Sequence, residues 1–211
     1  MINFAINDYI LALDPSYKCT GWCIGKISTG KHNVLDQCVK LIDFGSIPTN
    51  SKNIGESLIQ IESTIEQLIK KYNISYIVSE QSFVSNNRVT AMRLSQMHGV
   101  LMLVAAKHNL KITYYSVMTL KSKTLGKITT KKADGTKKTG EEMKKEVAAK
   151  VMEIFKDDLY NKTPTLDETD SMSALVTFIL MGGEEIVKKE KTGRDVLVCQ
   201  QTRRTLKLLV K

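Results

Sequence analysis

The chain has 211 residues, 42% of them hydrophobic and 25% charged, and carries a formal net charge of +9 at pH 7. That length suits one well-buried domain with an appendage, or two very small domains, and the composition is ordinary for a globular protein. The four cysteines, at 19, 23, 38 and 199, form no C-x-x-C pair and have no His at zinc-finger spacing, which argues against a structural zinc site. They read as reduced, mostly buried thiols of an intracellular protein. The N-terminus has no basic region followed by a long apolar one, and Val100 to Ala106, the longest apolar run, is too short to cross a bilayer. A soluble, cytoplasmic protein with no membrane partner is expected.

The charge is unevenly spread. Lys121 to Lys150 holds ten Lys against four acids, and Ile186 to Lys211 holds eight basic residues against two acids, a net +6 in each. Such concentration favours a polyanion partner, nucleic acid first. The alternative is a pair of solvated, Lys-rich faces.

In chain order, Tyr9 to Leu13 is an apolar run that ends on Asp14, and Pro15 blocks further ladder pairing. Gly21 and the apolar Trp22 to Ile27 follow, then turn formers at 28–33. Val34 to Phe44 predicts a third strand, completing an antiparallel meander, with a loop over Gly45 to Asn53. From Ile54, apolar residues at Leu58, Ile61, Ile65, Leu68 and Ile69 have helical spacing up to Asn73. Tyr76 to Val78 is a short strand ending at Ser79-Glu80.

Val89 to His108 predicts a long helix, with Gly99 marking close approach to a neighbouring element. Lys111 to Tyr115 predicts a fifth strand, Leu120 to Leu125 one helical turn, and 126–140 a basic loop. Glu141 to Phe155 returns to helix, with Met143, Val147, Val151 and Ile154/Phe155 on one side. Thr165 opens a last helix that Gly182-Gly183 should stop at Met181. The pattern predicts an α/β fold: a mixed five-stranded sheet, a three-strand meander then alternating helix and strand, flanked by helices. Residues 1–183 form the domain and 184–211 a basic extension.

A carboxylate at the tip of a buried strand is costly unless something positive meets it, so Asp14 implies a metal ion or a hydrogen-bonding role at a turn. Glu80 ends the fourth strand. Asp167 and Asp170 are spaced i, i+3 in the first turn of the last core helix, hence on one face. If strands one and four are adjacent and this helix starts beside them, four carboxylates converge. Hard oxygen donors of this kind suit Mg²⁺ or Mn²⁺, and two such ions roughly 4 Å apart can clamp an in-line phosphoryl displacement. Each acid also has a plain reading: helix-start acids complement the macrodipole, and Glu80 could be a solvated strand end. Thr165 and Glu168 have capping-box spacing, so Glu168 is assigned to the cap.

Leu13-Asp14-Pro15-Ser16 with Thr20-Gly21, Glu80-Gln81-Ser82-Phe83, Leu94 to Gly99, and Asp167-Glu168-Thr169-Asp170-Ser171 resemble the RuvC family of Holliday junction resolvases. The resemblance spans about Ile10 to Met181. It implies an RNase H-like fold, and it matches Asp14, Glu80, Asp167 and Asp170 to the family's catalytic, metal-binding acids. Phe83 matches an aromatic used against bases near the crossover, where stacking on an unpaired base is its physical role; the other reading is a core Phe. Lys121 matches a basic residue near the family's active site, suited to positioning a phosphate or stabilising its charge; otherwise it is a solvated helix-start Lys. The family's usual glycine after Asp-Pro is Ser16 here, and His98 replaces a frequent Arg. A lone helical His is more often packed than a ligand.

The resemblance implies a structure-selective endonuclease on branched DNA, using two Mg²⁺ or Mn²⁺ ions per site, leaving 5′-phosphates, and acting as a homodimer because paired nicks need two equivalent sites. Lys121, Lys123, Lys127, Lys131, Lys132, Lys137 and Lys138 are the candidate DNA contacts, with the longer loop and the tail suiting a phage or mobile-element resolvase. Two alternatives remain. Asp14 to Gly21 also resembles, more loosely, the first phosphate loop of actin-like ATPases, without a second Gly-rich loop. A junction-binding module that has lost catalysis is the other.

Overall fold

The computed structural model describes residues 7–16, 18–28, 38–49, 53–81, 87–132 and 134–190, with side chains described as far as Met181. Five strands and five helices are present among them: β1 (Tyr9–Asp14), β2 (Cys19–Ile27), β3 (Val39–Pro48), α1 (Ile54–Tyr72), β4 (Ile74–Glu80), α2 (Arg88–Lys107), β5 (Lys111–Tyr115), α3 (Val117–Leu125), α4 (Gly140–Ile154) and α5 (Leu166–Glu190). The strand order is β3-β2-β1-β4-β5. β1 to β3 pair antiparallel, while β4 lies parallel to β1 and β5 parallel to β4. This is the expected mixed sheet.

β1 is central, and its unbroken apolar run follows from having both faces covered. Ile10, Leu11, Ala12 and Leu13 have no solvent exposure. Strand alternation divides them. Ile10 and Ala12 join a core with Val78, Val151, Met172, Leu175 and Phe178, on the side of α4 and α5. Leu11 and Leu13 join Ile61, Ile65, Ile77, Met97 and Val104, on the side of α1 and α2. α1 starts where the Asn53 side chain accepts from the Glu56 amide, 3.3 Å. It stops at Asn73, whose φ of 50° is left-handed and whose amide donates to Ile69 O.

Four expectations are corrected. The third strand runs past the predicted Phe44 to Pro48, because β2 is nine residues long and pairs Cys19 with Pro48, while 34–37 of the predicted strand lie outside the described residues. Pro48 sits at the strand's end, where its missing N–H costs no ladder bond. The stretch predicted as loop is therefore sheet, and Gly45 is in it because a Cβ there would meet the Trp22 ring at 2.8 Å. α3 has nine residues rather than one turn. Gly99 marks no close approach among the described residues, since a Cβ there would meet nothing within 4 Å. α5 continues through Gly182-Gly183 to Glu190, so its backbone does not break at the expected boundary; each helical Gly costs only about 1 kcal/mol, less than the packing of the preceding turns supplies.

α2 is long and apolar enough to cross a membrane by length and composition alone. One side of it, Met97, Leu101, Val104 and Ala105, is packed in the second core. The other leaves Val89, Met92, Met102 and Leu103 more than half exposed.

Candidate active site

Sheet register brings the predicted acids together. Asp14 follows Ile10 and Ala12 at period two, which points it to the α5 side of the sheet. Glu80 follows Tyr76 and Val78 in the same way, and both of those pack in the α5-side core. Leu13 pairs with Ser79 across the β1–β4 ladder, so Asp14 and Glu80 are neighbours at the same end of two parallel strands. On the other side of β1, Asp14 pairs with Gly21. A Cβ on Gly21 would lie 2.0 Å from the Asp167 carbonyl oxygen and 2.9 Å from the Glu168 amide nitrogen. Having no side chain at this position lets the first turn of α5 rest directly on β2, beside Asp14.

That turn is held from two directions. Thr165 and Glu168 form the predicted cap: the Thr165 amide donates to Glu168 Oε2 at 2.7 Å, and the Glu168 amide donates to Thr165 Oγ1 at 3.3 Å. Ser46 Oγ on β3 donates to the other Glu168 oxygen at 2.7 Å. Glu168 is thus a structural acid, and Asp167 and Asp170 remain turned to the site.

The charges interact strongly. Burial first, then Glu80, Asp170 and Asp167, hold the Asp14 carboxyl well above the usual carboxylate range. Burial and Asp170 push Glu80 up to about 7. Burial also raises Asp170, against the opposing pull of Lys144 and Lys121. Lys144 Nζ donates to Asp170 Oδ2 at 2.6 Å. Burial works against that ammonium, but Asp170, Asp14 and Asp167 outweigh it and raise its pKa. Lys121 lies close enough to favour ionisation of both Glu80 and Asp170. The hydroxyls of Thr124, one turn beyond Lys121, and Ser173 are 2.8 Å apart and buried, tying α3 to α5.

Lys144 was not singled out from the sequence. The available signal was its place on the α4 wheel, next to the buried Met143, Val147 and Val151, where a charged residue needs a partner. Lys123 is half-buried on α3. Phe83 lies outside the described residues. His98 is on the opposite face of the sheet from the acids, its ring centre 5.2 Å from that of Tyr114 and tilted 46° to it, with burial lowering its pKa; it is a packed residue.

The donor set suits a hard divalent cation: every candidate ligand is a carboxylate oxygen, and their mutual repulsion is what such an ion would relieve. As the side chains stand, no three His, Cys, Asp or Glu groups among the described residues close on a common point. Positive charge is supplied by Lys144 and Lys121.

The family model for crossover junction endodeoxyribonuclease RuvC matches residues 10–177. A RuvC from Legionella pneumophila (strain Lens) is 29% identical over 168 residues, covering 79% of this chain and 84% of that protein. One from Orientia tsutsugamushi is 32% identical over 118 residues, 56% of this chain and 70% of its own length. In fold, the chain resembles T. thermophilus RuvC solved in complex with a Holliday junction substrate, with a TM-score of 0.63 at 14% identity, covering 82% of this chain and 96% of that one. It also resembles the yeast mitochondrial resolvase Ydc2, TM-score 0.55 at 14% identity, covering 84% and 80%. With four-fifths of its length matched by one family model, the chain belongs to the RuvC family of crossover junction endodeoxyribonucleases.

Proposed function

We propose that this chain is an endonuclease that resolves four-way DNA junctions by metal-dependent hydrolysis, making paired nicks. The observation carrying this reading is the meeting of Asp14, Glu80, Asp167 and Asp170 at one end of the sheet, with Lys121 and Lys144 among them. Asp14 and Glu80 on neighbouring strands form a rigid floor, and Asp167 and Asp170 on α5 close it from above. Together these four would hold the ions. Mg²⁺ or Mn²⁺, two ions in this proposal, would if bound there activate a water and stabilise the leaving 3′-oxygen, giving a 5′-phosphate. Lys121 and Lys144 offset the repulsion between four acids and a phosphodiester, and Lys121 orients the scissile phosphate. Phe83, three residues past Glu80, is proposed to stack on an unpaired base at the crossover.

Two symmetric nicks require two sites, and the exposed side of α2 supports a homodimer. Met92, Met102 and Leu103 are each more than half exposed on a helix whose Gly99 leaves open space at its surface. A second copy of this helix crossing at Gly99 would cover them.

The test is nicking of an immobile four-way junction beside a matched linear duplex, in Mg²⁺ and in Mn²⁺, with wild type and Asp14→Asn. Paired nicks on the junction, sparing the duplex and lost in the variant, are expected. Equal cutting of both substrates would replace resolution with general nuclease activity. Tight junction binding without nicks in either metal would leave a binding module.

A further inference from the structure

The segment between α3 and α4 is a built arm. Lys131 and Lys137 pair as an antiparallel bridge. The Lys132 amide donates to Thr136 O at 2.8 Å, the Gly135 amide to Lys132 O at 3.0 Å, and the Lys138 amide to Thr130 O at 2.9 Å. Asp134 Oδ1 accepts from both the amide and the hydroxyl of Thr136, at 2.9 and 2.6 Å. Gly135 completes the turn at a φ of 82°, a conformation that costs glycine nothing. A stretch that reads as structureless basic loop is thus a short hairpin.

The hairpin is fastened to α4. Lys132 Nζ pairs with Glu142 at 2.6 Å, and Lys138 Nζ with Glu146 at 2.5 Å, one helical turn further on. Glu142 also caps α4, accepting from the Thr139 amide at 2.8 Å. Its carboxyl is held down to about 2 by Lys132 and Thr139. Lys138 is further fixed on Thr129 Oγ1 at 3.1 Å. The remaining lysines, Lys127, Lys131 and Lys137, are exposed, and among the described residues none is paired with an acid. The same first turns of α4 send Lys144 inward to Asp170. Glu142 and Glu146 face about 160° away from Lys144 on the helix wheel, so the hairpin lies outside α4, roughly one helix diameter (about 10–12 Å) from the acids. At about 3.4 Å per nucleotide along a strand, this is the reach of phosphates some three nucleotides from one held at the site.

We propose that this hairpin is a preformed grip for a duplex DNA arm, in which Lys131 and Lys137, with Lys127 on the segment leading into it, contact backbone phosphates while Lys132 and Lys138 clamp the hairpin to α4. The inference rests on the junction-nuclease reading and divides the lysines by role. Three carry free charge outward, and two are spent on Glu142 and Glu146. Fastening the hairpin before DNA arrives lowers the ordering cost of binding. Because phosphate contacts carry no sequence information, the grip fixes where an arm lies and leaves the reaction itself to the acids.

The experiment measures binding of the full chain to a four-way junction and to linear duplex in EDTA, where no cleavage occurs, between 50 and 300 mM salt. Wild type is compared with Lys127→Ala/Lys131→Ala/Lys137→Ala and with Lys40→Ala/Lys111→Ala/Lys156→Ala. The second triple removes equal charge from exposed positions away from the acids: Lys40 and Lys111 at the far end of the sheet, and Lys156 just past α4, two residues before Asp158, which accepts from the Leu41 amide at 2.9 Å. The hairpin triple is expected to flatten the log–log salt dependence by about 2.7, three phosphates at roughly 0.9 each, and to weaken binding at least about tenfold at 150 mM. Its melting temperature should match wild type. The control triple should leave the slope within about one-half unit. An unchanged slope in the hairpin triple, or an equal loss in the control, overturns the grip while leaving the nuclease reading intact. Wild type that binds the junction in EDTA but nicks it in neither Mg²⁺ nor Mn²⁺ overturns the nuclease reading alone. Failure of wild type to bind either DNA overturns both.

Discussion

Gly21→Ala tests whether close contact between α5 and β2 is what sets the site. An ideal Cβ at Gly21 falls 2.0 Å from Asp167 O, 2.4 Å from its carbonyl carbon and 2.9 Å from Glu168 N. All three are backbone atoms, so no side chain can rotate out of the way. Ordinary contact begins near 3.4 Å, and the first turn of α5 must retreat from β2 by over an ångström. Asp167 and Asp170 move with it, away from Asp14 and Glu80. A displacement of that size costs about 100-fold in rate, or about 2.7 kcal/mol of transition-state stabilisation. Overpacking itself should cost about 1–3 kcal/mol of stability, leaving the protein folded. The comparison is Gly25→Ala, whose Cβ would meet the Leu175 methyl groups at 2.7 Å and Val39 Cγ2 at 2.9 Å. Those are side-chain atoms, so that variant should lose stability with little change in nicking. Single-turnover nicking at saturating enzyme, with thermal melts and junction binding in EDTA, separates the effects. Nicking by Gly21→Ala within threefold of wild type would refute the argument that this contact positions the acids.

The metal-free protein should lose stability as pH rises. Glu80 has its carboxyl near 7 in the fold against 4.5 for the free side chain, so the folded state binds its proton more tightly. Its contribution is full below about 4.5 and lost through about 7, on the order of 3 kcal/mol; Asp14 and Asp170 act in the same direction. Urea melts in EDTA from pH 5 to 8 should show this decline, and Glu80→Gln should flatten it; a flat wild-type profile contradicts the electrostatics. Lys144→Met should destabilise the metal-free protein by about 1–2 kcal/mol, less than a fully buried pair because the Lys144 side chain is 44% exposed. Unchanged melts would mean that the Asp170 pair contributes nothing. Met102→Lys/Leu103→Lys should convert a dimer to a monomer by light scattering while each chain stays folded, because both side chains are about half exposed in the single chain; a dimer that survives would place the interface elsewhere.

Most of the fold was legible because its signals are local. The run from Tyr9 to Leu13 ending on Asp14-Pro15, the helical spacing from Ile54 to Ile69, and Asn73 as a stop all rest on period and backbone preference. The misreadings rest on long-range facts. Gly45 to Pro48 looked like loop because Gly and Pro disfavour strands, yet β2 needed nine partners and Trp22 needed space over Gly45. Gly182-Gly183 looked like a stop because a C-terminal glycine is common, but stopping requires a left-handed turn and not merely the residue that permits it.

The acids were legible for a different reason than the lysine beside them. Asp14 and Glu80 each break the apolar logic of a buried strand, and such a break needs a cause that a reader can look for. Lys144 only borders the apolar stripe of α4 without interrupting it, and one lysine among ten between 121 and 150 is read as surface. Only the packing of α4 against α5 shows its ammonium 2.6 Å from Asp170. The same packing explains why charge of both signs is tolerated here. Asp14 alone at its depth would be neutral or destabilising, and Lys144 alone would lack a partner. With Lys121 beside them, burial first and repulsion among the acids second still keep the carboxyls of Asp14, Glu80 and Asp170 raised. A divalent cation binding there would find a stabilising free energy waiting in those repulsions, and it would have to displace bound protons to reach it. Metal affinity should therefore climb steeply between pH 6 and 8. Mg²⁺-dependent thermal stabilisation measured across that range should rise with pH in wild type and be lost in Asp14→Asn/Asp170→Asn. Stabilisation independent of pH would mean that the ions bind somewhere other than among these carboxylates.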